Sequence, residues 1–392
     1  MLAQVPVRPT LERMTSQPAN NAPARKPARK PEGELRRGWT TGTCAAAGAA
    51  AAFRALLENR AQSSVTVRLP KGEAPTFALS RCEQTAEGWR CGVIKDAGDD
   101  PDVTHGAEII TEIHPLKPGA GIVFKAGDGV GTVTLAGLPV PVGEPAINPG
   151  PRAIITDAVS AVAEEMDSSC DLQITISIPG GAQIAEKTMN PRLGIKGGLS
   201  ILGTTGIVIP FSCASWINSI HRGIDVARLQ GIDHLIAATG STSEAAAMRD
   251  HPELPEQAFI DMGDFAGGLL KYLRRHPAAK LSIVGGAAKL AKLAQGHLDL
   301  HSKRSSVDME KLAETALEHG ADEKLADAIS KANTTMEALE LCNKAGIPLA
   351  DAIARGARET AMASLAGETE IRVVVYDRAG NPAGTSERGH EA

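Results

Sequence analysis

Residues 95–106, KDAGDDPDVTHG, place four aspartates and a histidine in a stretch whose one clearly apolar side chain is Val103. Asp96, Asp99, Asp100 and Asp102 repel one another, so the stretch requires backbone donors, helix N-terminal dipoles or a bound cation. Three chemistries fit it. The aspartates can cap a turn around Pro101 while His105 donates to a carbonyl. Their oxygens can hold a divalent cation. Alternatively, the loop can line a pocket for a cationic ligand and keep one group, Asp96, Asp99 or His105, as a base. Val93 and Ile94 read as the buried end of a strand that delivers this loop to a site.

Other stretches can bind rather than react. Segment 190–210, NPRLGIKGGLSILGTTGIVIP, is glycine-rich among apolar residues, so its backbone can approach a ligand closely. N–H groups at Gly197, Gly198 and Gly203 can form an anion nest or simply mark a strand bend. Neighbouring Lys187, Arg192 and Lys196 favour an acidic ligand. Residues 240–244, GSTSE, join a strand exit to a helix start, which is either an ordinary cap or an anion and ribose-hydroxyl site. Residues 260–268, IDMGDFAGG, put Asp261 at a strand end before Gly263, loosely as in methyl-donor nucleotide loops. Beyond Gly285 and Gly286, Lys289 and Lys292 share one side of a helix, with His297, His301, Lys303 and Arg304 following. They make either a solvated basic face or a site for a polycarboxylate. Cys44 lies at a helix start, where a thiol can be activated or merely packed. No GxSxG, HExxH, EF-hand or Walker A pattern occurs, so no resident metal is expected.

These residues need elements to hold them. WTTGTCAAAGAAAAFRALL is a Thr/Gly turn feeding an alanine-rich helix that can pack closely. Strand-like runs follow at 64–69, 77–82, 89–94, 107–113, 121–126 and 172–179, with a helix opened by Pro151 between the last two. After about residue 230 the pattern becomes strand, Gly-rich turn, helix, repeated through HLIAATG, AFIDMGD and LSIVGG. Helical segments then run to about 366, and 371–377 adds a strand. Such alternation argues a parallel sheet with its ligand crevice beyond the strands' carboxyl ends. The expected architecture is multi-domain. Residues 1–34 form a disordered Pro/Ala/Arg-rich tail and 35–210 an α+β domain. Residues 211–380 form a Rossmann-like α/β domain with a largely parallel sheet, and 381–392 a frayed tail.

At 392 residues the chain exceeds what one core usually serves. A net charge of −5 argues against nucleic acid as a partner, which asks for a basic face. Six cysteines without a CxxC pair argue against a zinc ribbon or disulfide framework and for a reducing cytoplasm. No apolar run is long enough to span a membrane, and no secretory signal is expected. The partner is expected to be a small molecule, and a homo-oligomer is compatible with the composition.

Three strings, WTTGTCAAAGAAAA at 39–52, VIKDAGDDPDVTHG at 93–106 and NPRLGIKGGLSILGTTGIV at 190–208, closely resemble the cobalamin-biosynthesis protein D family, the cobalt-precorrin-5B C1-methyltransferases. The likeness runs in order from about residue 36 to beyond 300. KLAKLAQGHLDLHSKRSSVDME looks like the family's C-terminal signature. The preceding GGAAK departs from its Gly-His-x-Gly-Lys, leaving Lys289 as the matching cation. The resemblance implies methyl transfer from S-adenosylmethionine to ring carbon C1 of an acidic tetrapyrrole, with neighbouring corrin-pathway enzymes as further candidate partners. Its binding candidates are Thr41, Thr43, Arg192, Lys196, Gly197, Gly198, Thr204, Thr205, Lys289, Lys292 and His301. The donor candidates are Gly240, Ser241, Thr242, Asp261, Gly263 and Gly285. Residue chemistry adds Asp96, Asp99 or His105 as acceptor of the departing proton. A non-catalytic tetrapyrrole carrier and a metal-dependent hydrolase built on the aspartates are the alternatives.

Overall fold

The computed structural model describes residues 33–387. All but the last two residues of the 1–34 tail, and residues 388–392 of the C-terminal tail, lie outside them. Strand β1 (Gly38–Trp39) leads into helix α1 (Thr41–Glu58), whose first turn is capped by the Thr40 hydroxyl accepting from the Thr43 N–H. Left-handed Asn59 (φ 46°) ends the helix, its N–H bonding Ala55 O. Fourteen of the eighteen residues of α1 are buried. Small side chains make this possible. A Cβ at Gly48 would stand 3.0 Å from Thr111 Oγ1 and 3.2 Å from Cys91 O, so the mid-helix glycine, which costs roughly 1 kcal/mol in propensity, lets the helix lie flat on the sheet.

That sheet follows a short hairpin of β2 (Ser64–Thr66) and β3 (Thr76–Ala78). Its strands are β4 (Arg81–Gln84), β5 (Trp89–Ile94), β6 (Glu108–Pro115), β7 (Ile122–Ala126) and, after β8 (Thr132–Val133) and helix α2 (Pro149–Glu165), β9 (Leu172–Ser177). The order is β4-β5-β6-β9-β7, antiparallel except for the parallel β7–β9 pair. Burial alternates along β6 and β9, turning Ile109, Thr111, Ile113, Leu172, Ile174 and Ile176 inward onto α1 and α2. Helix α3 (Gly181–Ala185), β10 (Ile195–Lys196), which pairs with β8, and β11 (Ile207–Val208), which pairs with β1, complete this half.

Helix α4 (Cys213–Leu229) opens the second half. It is followed by β12 (His234–Ala238), α5 (Ser241–Asp250), β13 (Phe259–Asp261), α6 (Ala266–Leu273), β14 (Lys280–Gly286) and α7 (Ala287–Ala294). Helices α8 (Met309–Glu318), α9 (Glu323–Ser330), α10 (Thr335–Ala345) and α11 (Leu349–Leu365) come next, then β15 (Glu370–Tyr376) and β16 (Pro382–Thr385). The sheet order is β13-β12-β14-β15-β16, with the first four parallel and β16 antiparallel. Its two faces bury different helices. Leu235, Ala237, Ile260, Leu281 and Ile283 pack with α4, α6, α7 and α11, whereas Ile236, Ala238, Phe259 and Val284 pack with Ala246 and Ala247 of α5.

Three elements differ from the sequence reading. The 77–82 run divides, because the chain turns at Leu79 and Ser80 between β3 and β4. Helix α2 begins two residues before Pro151, with Pro149 at its first position behind Asn148. Residues 382–385 pair with β15 instead of fraying. Both five-stranded sheets lie in one compact unit, and Val226 of α4 packs among Val133, Val140, Leu193 and Ile195 from the first half.

Replacing Ala47, fully buried in α1, by Leu overpacks the helix–sheet interface and destabilises the fold by about 1–3 kcal/mol. Urea unfolding should show a lowered midpoint at unchanged slope.

Candidate functional site

The aspartate loop closes on the ends of β5 and β6, with Lys95 N–H bonding Ala107 O (2.9 Å) and Gly106 N–H bonding Lys95 O (2.8 Å). The Lys95 side chain, 4% exposed, donates from Nζ to Asp102 Oδ2 and to Thr104 Oγ1, both at 2.5 Å. Asp102 Oδ1 accepts from the Thr104 N–H (2.8 Å) and hydroxyl (2.7 Å). Burial pushes the Asp102 carboxyl up, but Lys95 and Thr104 outweigh it and hold the group below the ordinary aspartate range.

Each remaining aspartate turns to a different donor. Asp96 takes both Arg36 Nη atoms (2.5 and 2.9 Å) and the Gly98 N–H (2.9 Å), and the Arg36 guanidinium, aided by that N–H, draws its carboxyl down to about 2. Asp99 Oδ2 accepts the Arg36 N–H at 2.6 Å, and Asp99 N–H returns a bond to Arg36 O at 3.0 Å. Asp100 Oδ1 accepts the Phe211 N–H at 2.8 Å, and burial raises its carboxyl. His105 Nδ1 accepts the Ala97 N–H at 3.1 Å, leaving Nε2 to carry the proton of the neutral ring. Its side chain is half-exposed and 3.8 Å from Asp96. The carboxylates are thus dispersed. Among the described residues no group of three or more His, Cys, Asp or Glu side chains converges on a metal position. A carboxyl held near 2 is also a weak proton acceptor at neutral pH.

The glycine-rich segment is gripped by the start of α1. Thr43 Oγ1 donates to Gly206 O (2.7 Å), Thr40 N–H to the same oxygen (3.0 Å) and Gly42 N–H to Leu202 O (3.3 Å). Thr43 is fully buried and spends its hydroxyl on the segment's backbone, and Thr41 is buried beside it. Gly198 is buried against the Gly129 backbone, whereas Lys196, Gly197 and Thr204 are exposed and Thr205 is half-buried. Cys44 is fully buried, and burial lifts its thiol to about 12, so it is packing.

The basic residues do not make one face. Arg192, 13% exposed, bonds Glu244 Oε1 (2.7 Å) and Phe259 O (3.1 Å), tying the glycine-rich loop to α5 and β13. Lys292 is buried with Nζ on Leu300 O at 2.9 Å. Lys289 bonds Thr239 O and pairs with Asp264 at 3.1 Å. The exposed His301 accepts the Lys303 N–H on Nδ1. Arg192 and Lys292 are therefore internal ties, and a substrate carboxylate could claim them only by breaking those bonds.

The six donor candidates do gather. β12 lies between β13 and β14, so the strand order reverses there, the position at which open parallel sheets take a ligand beyond their carboxyl ends. Gly240, Ser241 and Thr242 start α5 at this point, with both hydroxyl residues exposed. Asp261 ends β13 in register with Ala238, and Gly263 N–H bonds Ala238 O (3.2 Å). Gly285 lies against Thr239, and a Cβ at Gly240 or Gly286 would meet nothing within 4 Å. Burial and then Glu244 raise the Asp261 carboxyl, opposed by Arg192, the Gly263 N–H and Lys289.

A strap from Gly203 to Trp216 joins the two loci. Gly203 lies against Thr40, β11 pairs with β1, and Phe211, left-handed at φ 56°, hangs on Asp100. Trp216, 47% exposed, covers Gly263 with ring atoms 3.4–3.5 Å from its Cβ position and lies 6.3 Å from Phe265. Leu202 and Ile209 are also about half-exposed. The sequence reading missed Arg36, Phe211 and Trp216. Their roles depend on partners far along the chain, and only the scarcity of tryptophan gave any signal.

Residues 28–210 match the family model described as CbiD, and 299–387 match CbiD, C-terminal domain. The chain is 55% identical over 362 residues to the cobalt-precorrin-5B C(1)-methyltransferase of Brucella anthropi, covering 92% of this chain and 97% of that protein. It is 54% identical over 349 residues to the protein of the same name from Methylorubrum extorquens, covering 89% and 96%. A crystal structure of cobalamin biosynthesis protein (cbiD) from Archaeoglobus fulgidus is 30% identical, covers 70% of this chain and 84% of that one, and superposes with a TM-score of 0.39.

Two substitutions separate the loop's ties. Lys95→Met strands a largely buried carboxylate and should cost about 3–5 kcal/mol, read by denaturant unfolding. Arg36→Met removes the half-exposed Asp96 pair. Because the Asp96 carboxyl is depressed in the fold, that stabilisation is present above the ordinary value of 3.8 and is lost as pH falls towards about 2. The gap in thermal midpoint between wild type and Arg36→Met should close over that window.

Proposed function

Because this chain belongs to the CbiD family, we propose that it transfers a methyl group from S-adenosylmethionine to C1 of cobalt-precorrin-5B, forming cobalt-precorrin-6A in cobalamin biosynthesis. The identity of 55% across 92% of the chain to a methyltransferase of that name carries the reading. Bound S-adenosylmethionine supplies an electrophilic methyl on a sulfonium centre.

We read β12–α5–β13–α6–β14 as a Rossmann-like unit for the donor. Asp261, about twenty residues beyond Gly240, stands where such units accept hydrogen bonds from ribose hydroxyls. The bare backbone at Gly240 and Gly286 admits a ligand, while Ser241 and Thr242 offer hydroxyls. With Glu244 and Asp264 already paired to Arg192 and Lys289, Asp261 is left to supply negative charge suited to a sulfonium, and Gly263 and Gly285 keep the adjoining backbone slim. We assign the acceptor to the glycine-rich segment and the strap that continues it. Exposed Leu202, Ile209 and Trp216 match an apolar macrocycle face, and Lys196, Gly197, Thr204 and Thr205 match its carboxylates, with Lys289 and His301 at the crevice side. Alignment and exclusion of water then carry the rate, since methyl transfer needs no protein nucleophile. His105 is the preferred acceptor of the departing proton over Asp96 and Asp99, taking it on Nδ1, the unprotonated nitrogen, as the Ala97 N–H bond is released. The six unpaired cysteines support a cytoplasmic setting.

Incubation with methyl-labelled S-adenosylmethionine and the precorrin-5 stage pigment, with and without cobalt, should place label on C1. Pigment retained without label would instead establish a carrier. Asp261→Asn should weaken S-adenosylhomocysteine binding about 10- to 100-fold, the worth of a charge-assisted hydrogen bond, in a calorimetric titration. His105→Ala should lower kcat by about 100-fold or more and leave that binding unchanged.

A further inference from the structure

Cys82 and Cys91 face each other directly across the antiparallel β4–β5 pair, with their Sγ atoms 3.0 Å apart. Both are free thiols. Opposed residues on antiparallel strands have Cα separations inside the range a disulfide requires, and the sulfurs need approach by only about 1 Å to reach the bonded length of ~2.05 Å. The strands are already held on either side of the pair by the Arg81–Gly92 and Gln84–Trp89 registers. The two sulfurs also differ in access. Cys91 is fully buried, while Cys82 is partly exposed on the edge strand of the sheet and accepts the Gln62 N–H at 3.2 Å.

We propose that Cys82 and Cys91 are a modification site, forming a reversible cross-strand disulfide when the protein meets a hydroperoxide. The Cys82 thiolate attacks a peroxide oxygen, the O–O bond breaks, hydroxide departs and Cys82 becomes a sulfenic acid. The Cys91 sulfur then bonds to the Cys82 sulfur and displaces its hydroxyl, which leaves as water with the Cys91 proton. Two thiols are oxidised and one hydrogen peroxide is reduced to two waters, the departing hydroxide taking up the proton that the Cys82 thiol gave. Burial pushes the Cys91 thiol up and leaves the first step to its partly exposed neighbour, while the 3.0 Å contact between the sulfurs places Cys91 for the second. Beyond Cys91, β5 runs into Lys95 and Asp96. Beside Cys82, Arg81 and Ser80 hold Glu108 on the far side of the same loop at 2.7 and 2.6 Å. The cross-link therefore fastens the base of the aspartate loop, and it does not depend on the methyl-transfer reading.

The full-length protein, treated with hydrogen peroxide, alkylated and digested with trypsin, decides the matter, since cleavage after Arg81, Arg90 and Lys95 puts the two cysteines on separate peptides. The expected result is a disulfide joining those peptides, two fewer alkylatable thiols and full recovery with dithiothreitol. Cys91→Ser, nearly isosteric, should abolish the cross-link while leaving a Cys82 sulfenic acid that dimedone traps, with an unchanged circular dichroism spectrum as its folding control. Oxidation confined to exposed Cys213, or Cys82 passing to sulfinic acid in the wild type without joining Cys91, would overturn the proposal.

Discussion

Carboxylates as close in sequence as Asp96, Asp99, Asp100 and Asp102 cannot share one low-dielectric pocket uncompensated, and the structure answers each with its own donor. Repulsion is thereby converted into connectivity. Asp102 closes the loop on Lys95, Asp96 and Asp99 draw in the chain at Arg36, and Asp100 fixes the strap at Phe211. Once Arg36 is placed, β1 falls beside β11 and the α1 N-terminus meets Gly206. The exposed Arg36 pair contributes little energy by itself. Its value is geometric, because three segments remote in sequence are set relative to one another by bonds that only carboxylates in this spacing can make.

The second half depends on this frame through few contacts. The two five-stranded sheets share no ladder. They are related by the Arg192–Glu244 tie, by Val226 among the valines and isoleucines of the first half, and by the strap. A strap hung on Asp100 at one end and lying over Gly263 at the other places exposed apolar side chains between the aspartate loop and the strand exits.

Periodicity made much of this legible. β5 spans 89–94 as read, β6 and β9 show the expected alternation, and the strand–turn–helix succession after residue 230 folds as a sheet covered on both faces. The aspartate, glycine and strand-exit loops were all legible as places. What charge and spacing could not tell was direction. Arg192 and Lys292 look like substrate cations in sequence, yet each finds an internal acceptor that only the tertiary fold supplies. Arg36 stands sixty positions from Asp96, and nothing local marks it as a partner. The exposure of Trp216 likewise follows from packing, since the sequence before Ile220 carries no stripe that would distinguish a covered indole from an open one.

The burial of α1 has a consequence for synthesis. This helix is among the first parts of the fold to leave the ribosome, but the sheet it rests on is not complete until β9 ends at Ser177. At typical elongation rates the gap is on the order of ten seconds, during which a helix made to be covered on nearly every side has no floor. A leucine-rich helix would present a broad adhesive surface for that interval. One built from alanine and glycine exposes far less apolar area per residue, so the same small side chains that permit close packing in the finished protein keep the nascent chain from sticking before its sheet arrives.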